Sequence, residues 1–349
     1  MHGEYKVPGG KLVVANVEAD NQHLTSVSIS GDFFLEPDSA LETINQALVG
    51  LHLNANVSQI SQAIENSLGE NVMMAGFSPQ AIAIAVRRAL GKASGWHDHV
   101  FDVIPAQTLP AVQHVALDEV IVNAVASGQR GPTLRFWDWP DSVVVIGSFQ
   151  SLKNEIDSEG AKRHGIEVVR RVTGGGAMFM EPGNCITYSL VVPVSLVEGL
   201  SFEQSYAFLD DWVLGALAEV GIKAHYVPLN DIASDKGKIG GAAQKRFANG
   251  IVLHHVTMAY DINADRMLEV LRIGREKLSD KGTTSANKRV DPMRSQTGMA
   301  RETIIESFIN HFQQRYSSQL SQYKEQELAQ AKILLEDKFM NPEWVAKVP

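Results

Sequence analysis

The chain has 349 residues, 44% of them hydrophobic and 20% charged, which is typical of a globular protein large enough for two domains. Acidic residues outnumber basic ones by 40 to 31, and the net charge of -9 disfavours general binding to nucleic acid. The single cysteine excludes an intramolecular disulfide and any two-thiol motif. With no signal-peptide pattern and no apolar run of about 20 residues, we expect a cytoplasmic protein that does not bind a membrane.

The first ninety residues predict a small α+β domain. β-Branched residues cluster at 11–18 and 24–30, as they do in strands. Three helices follow, indicated by apolar residues at three- and four-residue spacing and by the Ser78-Pro79 start signal, at 40–51, 57–68 and 79–90. Residues 92–107 show no clear period and contain Gly95 and Pro105, so they predict a linker.

A larger unit is predicted from residue 108 onward. It opens with a helix whose apolar face carries Leu117, Val120, Ile121 and Ala124. Further helices are predicted at 202–220, 301–316 and 327–339, and strands at 134–137, 143–146, 167–170, 186–193, 238–244 and 250–260. Because strands follow one another without alternating helices, the order favours an α+β fold over a doubly wound sheet. The predicted domains are 1–91 and 108–349, with the linker at 92–107.

The segment RRVTGGGAMF (170–179) leads from a strand into three consecutive glycines. Glycines allow backbone N–H groups to approach a ligand closely, and they adopt the positive φ angles of anion-binding loops. An adjacent arginine adds a fixed positive charge with fork geometry. The pattern is consistent with a loop that binds a phosphate or a carboxylate, although a flexible hairpin turn remains open. Neither a Walker A loop nor a dinucleotide fingerprint is present.

Two further clusters carry chemically useful side chains. Asn230 and Asp231 precede Lys238, which opens a strand of small residues and offers a compact positive charge. The oxygen atoms of Asn230 and Asp231 are ligands that Mg²⁺ accepts, and a solvated surface loop is the alternative. His254 and His255 follow on the next strand, where neighbouring side chains point to opposite faces, so at most one faces a site.

Taken together, RRVTGGGAMF, NDI…KIGGAAQ and GIVLHH resemble the lipoate–protein ligases, whose catalytic domain has the biotin/lipoate ligase and class II synthetase-like fold. The resemblance runs from about Thr108 to the last residue and includes KLSDKGTTSANKRV (277–290) and FMNPEWVAKVP (339–349). Separately, HGEYKVPGGKLV and SGDFFLEP resemble the ligase accessory domain, which here precedes the catalytic one. Met180 and Glu181 stand where the family usually has His-Asp.

The resemblance implies ATP-dependent activation of lipoate to lipoyl-AMP, followed by transfer of the lipoyl group to a lysine of an acceptor domain. The implied acceptors are apo lipoyl domains of 2-oxoacid dehydrogenase E2 subunits and the glycine-cleavage carrier protein. Lys238 matches the catalytic lysine, which contacts both ATP and lipoate. The other matched ATP-binding residues are Arg171, Gly176, Ala177, Met178 and Phe179. The other matched lipoate-binding residues are Arg171, Gly174, Gly175 and His255. Asn230 and Asp231 are the implied Mg²⁺ ligands.

Two other functions remain open. An octanoyl or lipoyl transferase of the same fold would pass the acyl group through a cysteine thioester, but the loop PLNDIASDKGK before the lysine strand has no cysteine. A non-catalytic lipoate- or lipoyl-domain-binding protein would keep the pocket without the chemistry.

The apolar part of lipoate needs an apolar slot, for which Trp137, Val145 and Val252 are the predicted walls.

Overall fold

The computed structural model describes residues 1–7, 9–69, 71–262, 264–272 (backbone only at 264 and 265) and 290–349. The segment KLSDKGTTSANKRV, which contributes to the family resemblance, lies outside the described residues except for Val290. The described residues form two compact units. The first is Met1–Asp98 with Val194–Phe208, and the second is His99–Pro193 with Leu209–Pro349.

The first unit combines a three-stranded antiparallel sheet, a two-stranded ribbon and three helices. The strands are β1 (His2–Lys6), β2 (Leu12–Asp20), β3 (His23–Gly31), β4 (Phe34–Glu36) and β5 (Met73–Ala75). The helices are α1 (Ala40–Leu48), α2 (Val57–Ser67) and α3 (Pro79–Ala89). Helix α3 begins where the sequence predicts, because the Ser78 side chain accepts a hydrogen bond from the Ala81 N–H and Pro79 occupies the first turn.

The second unit contains eleven strands among the described residues. They are β6 (Phe101–Thr108), β7 (Thr133–Asp138), β8 (Val143–Ile146), β9 (Glu167–Arg170), β10 (Met178–Met180), β11 (Cys185–Pro193), β12 (His225–Val227), β13 (Asp231–Ala233), β14 (Lys238–Arg246), β15 (Ile251–Ala259) and β16 (Ser318–Leu320). Eight of them form one mixed sheet in the order β12-β13-β14-β15-β11-β7-β6-β16. A separate three-stranded sheet has the order β10-β8-β9.

The helices of the second unit include α4 (Ala111–Ala126), α5 (Leu152–Glu155), α6 (Ser158–Arg163), α7 (Phe202–Glu219, which begins in the first unit), α8 (Ala264–Val270), α9 (Met293–Thr297), α10 (Arg301–Arg315), α11 (Glu325–Leu334) and α12 (Pro342–Val345). Helix α4 is apolar around most of its circumference, so it lies in the core. Every helix in the described part of the chain is too short or too polar to span a bilayer. The predicted α+β class is confirmed.

The structure differs from the sequence prediction at the linker. Residues 101–108 form β6, which pairs in parallel with β7 and β16 inside the large sheet. Phe101, Val103 and Ile104 are fully buried there. Pro105 falls at a register shift between Ile104 and Gln107, where a missing backbone N–H is tolerated. No local period reveals this strand, because its partners are distant in the sequence.

Arg130 joins three separate segments of the second unit. Its guanidinium donates to both carboxylate oxygens of Glu327, at 2.7 and 2.8 Å, and to the Asp102 carboxylate at 3.2 Å. The Arg130 side chain is inaccessible to solvent, and both carboxylates are nearly so. A buried ion pair of this kind is satisfied only while all of its partners are present.

Replacing Arg130 with alanine leaves the carboxylates of Asp102 and Glu327 buried without a counter-charge. We expect Arg130→Ala to lower the free energy of unfolding by about 3–5 kcal/mol, measured by urea denaturation. The exposed Arg294–Asp261 pair provides the control, and Arg294→Ala should leave the unfolding midpoint essentially unchanged. Equal midpoints for the two variants would contradict the structural role given to Arg130.

Candidate active site

The segment 173–177 is called the glycine loop from here on. Its residues Gly176 and Ala177 line a cavity of about 280 Å³ in the second unit, together with the strand opened by Lys238. These are two of the three clusters that the sequence singles out. Thr257 and the apolar side chains of Ile239, Ile262 and Met267 complete much of the wall. The cavity therefore combines polar backbone, a lysine and an apolar surface, the combination that a small amphipathic acid requires.

Arg171 follows directly on β9 and is only 2% exposed. Its guanidinium donates to the carbonyl oxygens of Gly174 at 2.6 Å and Gly176 at 2.9 Å, and to that of Val145 at 3.1 Å. Its Nε donates to the Thr173 hydroxyl at 2.9 Å. The sequence predicts that Arg171 binds the ligands directly. In the structure the guanidinium lines the cavity and its hydrogen bonds also hold the glycine loop, so direct contact with the ligands stays a prediction.

The glycine loop packs tightly against Gly147. A side chain at Gly147 would place its Cβ 2.1 Å from the Gly175 carbonyl oxygen, so this approach requires glycine. Gly175 itself has a φ of 90°, in the region that L-residues rarely adopt. A glycine is thus needed at Gly147 to let the loop approach, and at Gly175 to let the loop turn.

The loop's donors lie on the side opposite to its carbonyls. In a trans peptide the C=O of one residue and the N–H of the next point in opposite directions. Because the Gly174 and Gly176 carbonyls face Arg171, the N–H groups of Gly175 and Ala177 point away from it. Neither N–H has a hydrogen-bond acceptor within the described ranges. Ala177 lines the cavity, so its N–H lies where an anion could bind.

Lys238 lies at the start of β14 with its side chain 50% exposed, and its ammonium is 2.7 Å from the Asp231 carboxylate. A Cβ at Gly241 would lie 3.1 Å from the Lys238 nitrogen and 3.4 Å from the Asp231 oxygen, so a glycine leaves room for the pair. Asn230 donates its side-chain amide to the Ala242 carbonyl at 2.6 Å. The predicted Mg²⁺ ligands thus have protein partners already. Among the described residues, no three acidic, histidine or cysteine side chains are grouped as a metal site.

The two histidines face opposite ways, as the strand period predicts. His255 lines the cavity, and its ring nitrogens contact the Thr173 hydroxyl at 2.7 Å and the Asp118 carboxylate at 3.2 Å. His254 is fully buried, 2.6 Å from the Asp210 carboxylate in α7. Both ring nitrogens of His255 already contact protein groups, and these contacts compete with the predicted contact to lipoate.

Cys185 lines the cavity but is only 1% exposed. Burial raises the pKa of its thiol to about 12, so the thiolate is scarce at neutral pH. Of the two residues that depart from the family pattern, Met180 is buried in the core and Glu181 pairs with Arg266 at 2.8 Å.

The predicted site residues lie at the cavity or next to it, whereas the predicted apolar walls do not. Those that line the cavity are Arg171, Gly176, Ala177, Met178, Phe179, Asn230, Lys238 and His255. Three others do not line the cavity but contact residues that do: Gly174, Gly175 and Asp231. The predicted apolar walls Trp137, Val145 and Val252 do not line the cavity, because they are buried in the core instead. Sequence reasoning missed Asp118 and Thr173, whose only signal is their proximity in the fold to His255.

Known proteins resemble this chain in sequence. A family profile described as the lipoyl protein ligase A/B catalytic domain matches residues 110–315, more than half of the chain. An octanoyltransferase LipM from Exiguobacterium sp. is 26% identical over 280 residues, covering 72% of this chain and 98% of that protein. The LipM from Geobacillus kaustophilus is 26% identical over 70% of this chain and 97% of that protein.

Solved structures resemble it as well. A chain from the structure of an archaeal bi-partite lipoate protein ligase and its E2 lipoyl domain, from Thermoplasma acidophilum, is 26% identical. It superposes with a TM-score of 0.63 over 72% of this chain and 98% of that chain. A lipoate-protein ligase A bound with ATP shares the fold, with a TM-score of 0.62 at 23% identity over 72% of this chain and 100% of that chain. The chain therefore belongs to the lipoyl protein ligase A/B catalytic family, a family of lipoyl and octanoyl transfer enzymes.

Proposed function

We propose that the protein is an ATP-dependent lipoate–protein ligase. In the first step the lipoate carboxylate attacks the α-phosphorus of ATP, forming lipoyl-AMP and releasing pyrophosphate. In the second step the amine of an acceptor lysine attacks the acyl carbon of lipoyl-AMP, loses a proton and releases AMP. The acceptors would be apo lipoyl domains, such as those of 2-oxoacid dehydrogenase E2 subunits and the glycine-cleavage carrier protein.

The charges of the cavity suit the first step. The lipoate carboxylate is ionised at neutral pH, so its attack needs no general base, and the main obstacle is repulsion between two anions. Lys238 provides a cation at the cavity, and the N–H group of Ala177, which also lines it, provides a fixed dipole. Cations and dipoles of this kind stabilise charge in the transition state without having to reorganise. The carboxylate of Asp231 would hold the Lys238 ammonium ready until the anions enter.

The state of Cys185 is the observation that carries the proposal. An acyl transferase that works through a thioester needs a thiolate, and this chain contains one cysteine. Because burial raises the pKa of this thiol to about 12, almost all of it is protonated at neutral pH. Burial also leaves its sulfur almost inaccessible to an acyl donor. Activation by ATP avoids the need for a thiol.

Magnesium would enter with the triphosphate. Mg²⁺ in such sites commonly keeps several waters and takes one or two protein carboxylates together with substrate phosphates. Asp231, whose carboxylate pairs with Lys238, fits this pattern, and the Asn230 side chain is the second candidate ligand. Its role in the metal site competes with its contact to Lys238, so the phosphates would supply most of the ligands.

We assign the accessory role to the first unit, which holds the segments that resemble the ligase accessory domain. The unit extends beyond the predicted boundary, because Val194–Phe208 joins it and Arg87 pairs with Glu198 at 3.1 Å. A fragment that starts near residue 108 would therefore remove the packing partners of 194–208. Point variants in the intact chain are the cleaner test of function.

Octanoyl transfer is the second candidate, and the relatives named octanoyltransferase LipM favour it. Such an enzyme would take an octanoyl group from an activated thioester and would need no ATP. The two candidates thus differ in the donor that they consume, while they share the acceptor and the cavity.

One assay separates the two candidates. An apo lipoyl domain is incubated with the protein and either lipoate plus ATP, octanoate plus ATP, biotin plus ATP, or an octanoyl thioester without ATP. We expect the mass of the acceptor to increase by one lipoyl group only when ATP is present, with pyrophosphate released in equal amount. Modification from the thioester alone would support the transferase, and ligand binding without modification would support the non-catalytic alternative.

Lys238 is expected to be needed for adenylate formation. Lys238→Ala should lower pyrophosphate release about 100-fold or more, because it removes the cation that offsets repulsion between carboxylate and phosphate. Lys236→Ala, two residues away and outside the cavity lining, is the matched control and should behave like the wild type. Normal pyrophosphate release from Lys238→Ala would remove this lysine from the proposed site.

Cys185 is expected to be dispensable. Cys185→Ala keeps a small apolar group in the core, and it should retain lipoyl transfer at about the wild-type rate, measured by acceptor mass. Cys185→Ser serves as a second variant, with its thermal unfolding recorded because a buried hydroxyl can destabilise the core. Complete loss of transfer by a folded Cys185→Ala protein would contradict the ligase and favour a thioester route.

A further inference from the structure

Five buried residues form a continuous chain of polar contacts behind the glycine loop. Arg135 donates to the Asp118 carboxylate at 2.6 Å, and the second oxygen of Asp118 lies 3.2 Å from Nδ1 of His255. Nε2 of His255 lies 2.7 Å from the Thr173 hydroxyl, which accepts a hydrogen bond from Arg171 at 2.9 Å. All five side chains are buried, and they come from four separate parts of the sequence.

The protonation states set the direction of every bond in this chain. Burial lowers the pKa of His255, so its ring is neutral and carries one N–H. Burial pushes the pKa of Asp118 upward, but the Arg135 guanidinium and the His255 hydrogen bond outweigh it and keep the carboxyl ionised. An ionised carboxylate only accepts, so Nδ1 of His255 donates to it and Nε2 accepts from Thr173.

Because of this direction, the Thr173 oxygen can only accept a hydrogen bond from Arg171. Its proton goes to His255, so its lone pair faces the Arg171 Nε–H. Fixing Nε fixes the plane of the guanidinium, and the same plane carries the bonds to the Gly174 and Gly176 carbonyls. The orientation of those carbonyls then decides where the N–H groups of Gly175 and Ala177 point.

We propose that Asp118, His255 and Thr173 are positioning residues that act through Arg171 to aim the glycine-loop N–H groups at the phosphates of the nucleotide. Asp118 and Thr173 lie behind the residues that line the cavity, and His255, which lines it, acts in this role through Thr173. The identity of the anion rests on the proposed function, whereas the control of the loop by the Thr173 hydroxyl does not.

A positioning role and a packing role of Thr173 predict opposite effects for two substitutions. Thr173→Val keeps the shape but removes the hydroxyl, and Thr173→Ser keeps the hydroxyl but removes a methyl group. If the hydroxyl positions Arg171, Thr173→Val should raise the KM for ATP about ten- to hundred-fold, the range for losing a charge-assisted hydrogen bond, and leave the KM for the acceptor domain unchanged. Thr173→Ser should stay close to the wild type.

A second measurement follows the loop without relying on turnover. In the full-length protein labelled with [¹⁵N]glycine, Thr173→Val should shift the amide resonances of Gly174, Gly175 and Gly176, whereas Thr173→Ser should not. Thr133→Val is the matched control, because Thr133 is fully buried and its hydroxyl bonds to the Gly131 carbonyl at 2.8 Å instead.

The outcomes distinguish positioning of the loop by Thr173 from packing. A greater loss for Thr173→Ser than for Thr173→Val, or glycine resonances indifferent to both, would overturn the positioning proposal. If the wild type shows no ATP-dependent pyrophosphate release while the resonances still follow the hydroxyl, the proposed function fails and the positioning of the loop by Thr173 stands.

Discussion

The glycine loop depends on the buried guanidinium of Arg171. A glycine-rich segment has many accessible conformations, so ordering it carries a large entropy penalty that side chains of its own cannot offset. Arg171 offsets that penalty with hydrogen bonds to two carbonyls of the loop and to a neighbouring strand. Burying a guanidinium is favourable only when its donors are satisfied, so loop and arginine are stable together and neither is stable alone. The N–H groups offered to an anion are a consequence of this mutual dependence.

Arg170 and Arg171 are neighbours in sequence but stabilise different segments around the same cavity. The Arg170 guanidinium is also buried, and it donates to the carbonyl of Gly147 at 2.9 Å and that of Val345 at 2.8 Å. Gly147 is the residue against which the Gly175 carbonyl packs. The last residues of the chain thus support the segment that supports the glycine loop. The FMNPEWVAKVP segment therefore supports the glycine loop, although it does not line the cavity.

The chemistry of the cavity is divided between a fixed part and an adaptable part. The loop N–H groups and the Arg171 charge are held by buried contacts, whereas Lys238 is half exposed and paired with Asp231. A compact ammonium on a flexible stem can exchange one carboxylate for another as ligands enter. The single buried cysteine offers no comparable nucleophile. These groups are the basis on which we propose chemistry that brings two anions together rather than chemistry that needs a covalent thioester.

The sequence by itself determined the fold class, the long helices, about half of the strands, and the two motifs that meet in the cavity. These signals are local: apolar periodicity, the Ser78-Pro79 helix start and a run of three glycines. Only the tertiary structure decided that 101–108 is a strand, because its partners are far away in the chain. It likewise decided that Arg171 faces its own loop and that His255 bonds to Thr173 and Asp118. A residue type indicates which contacts are chemically allowed, but the choice among them depends on which acceptors the fold buries beside it.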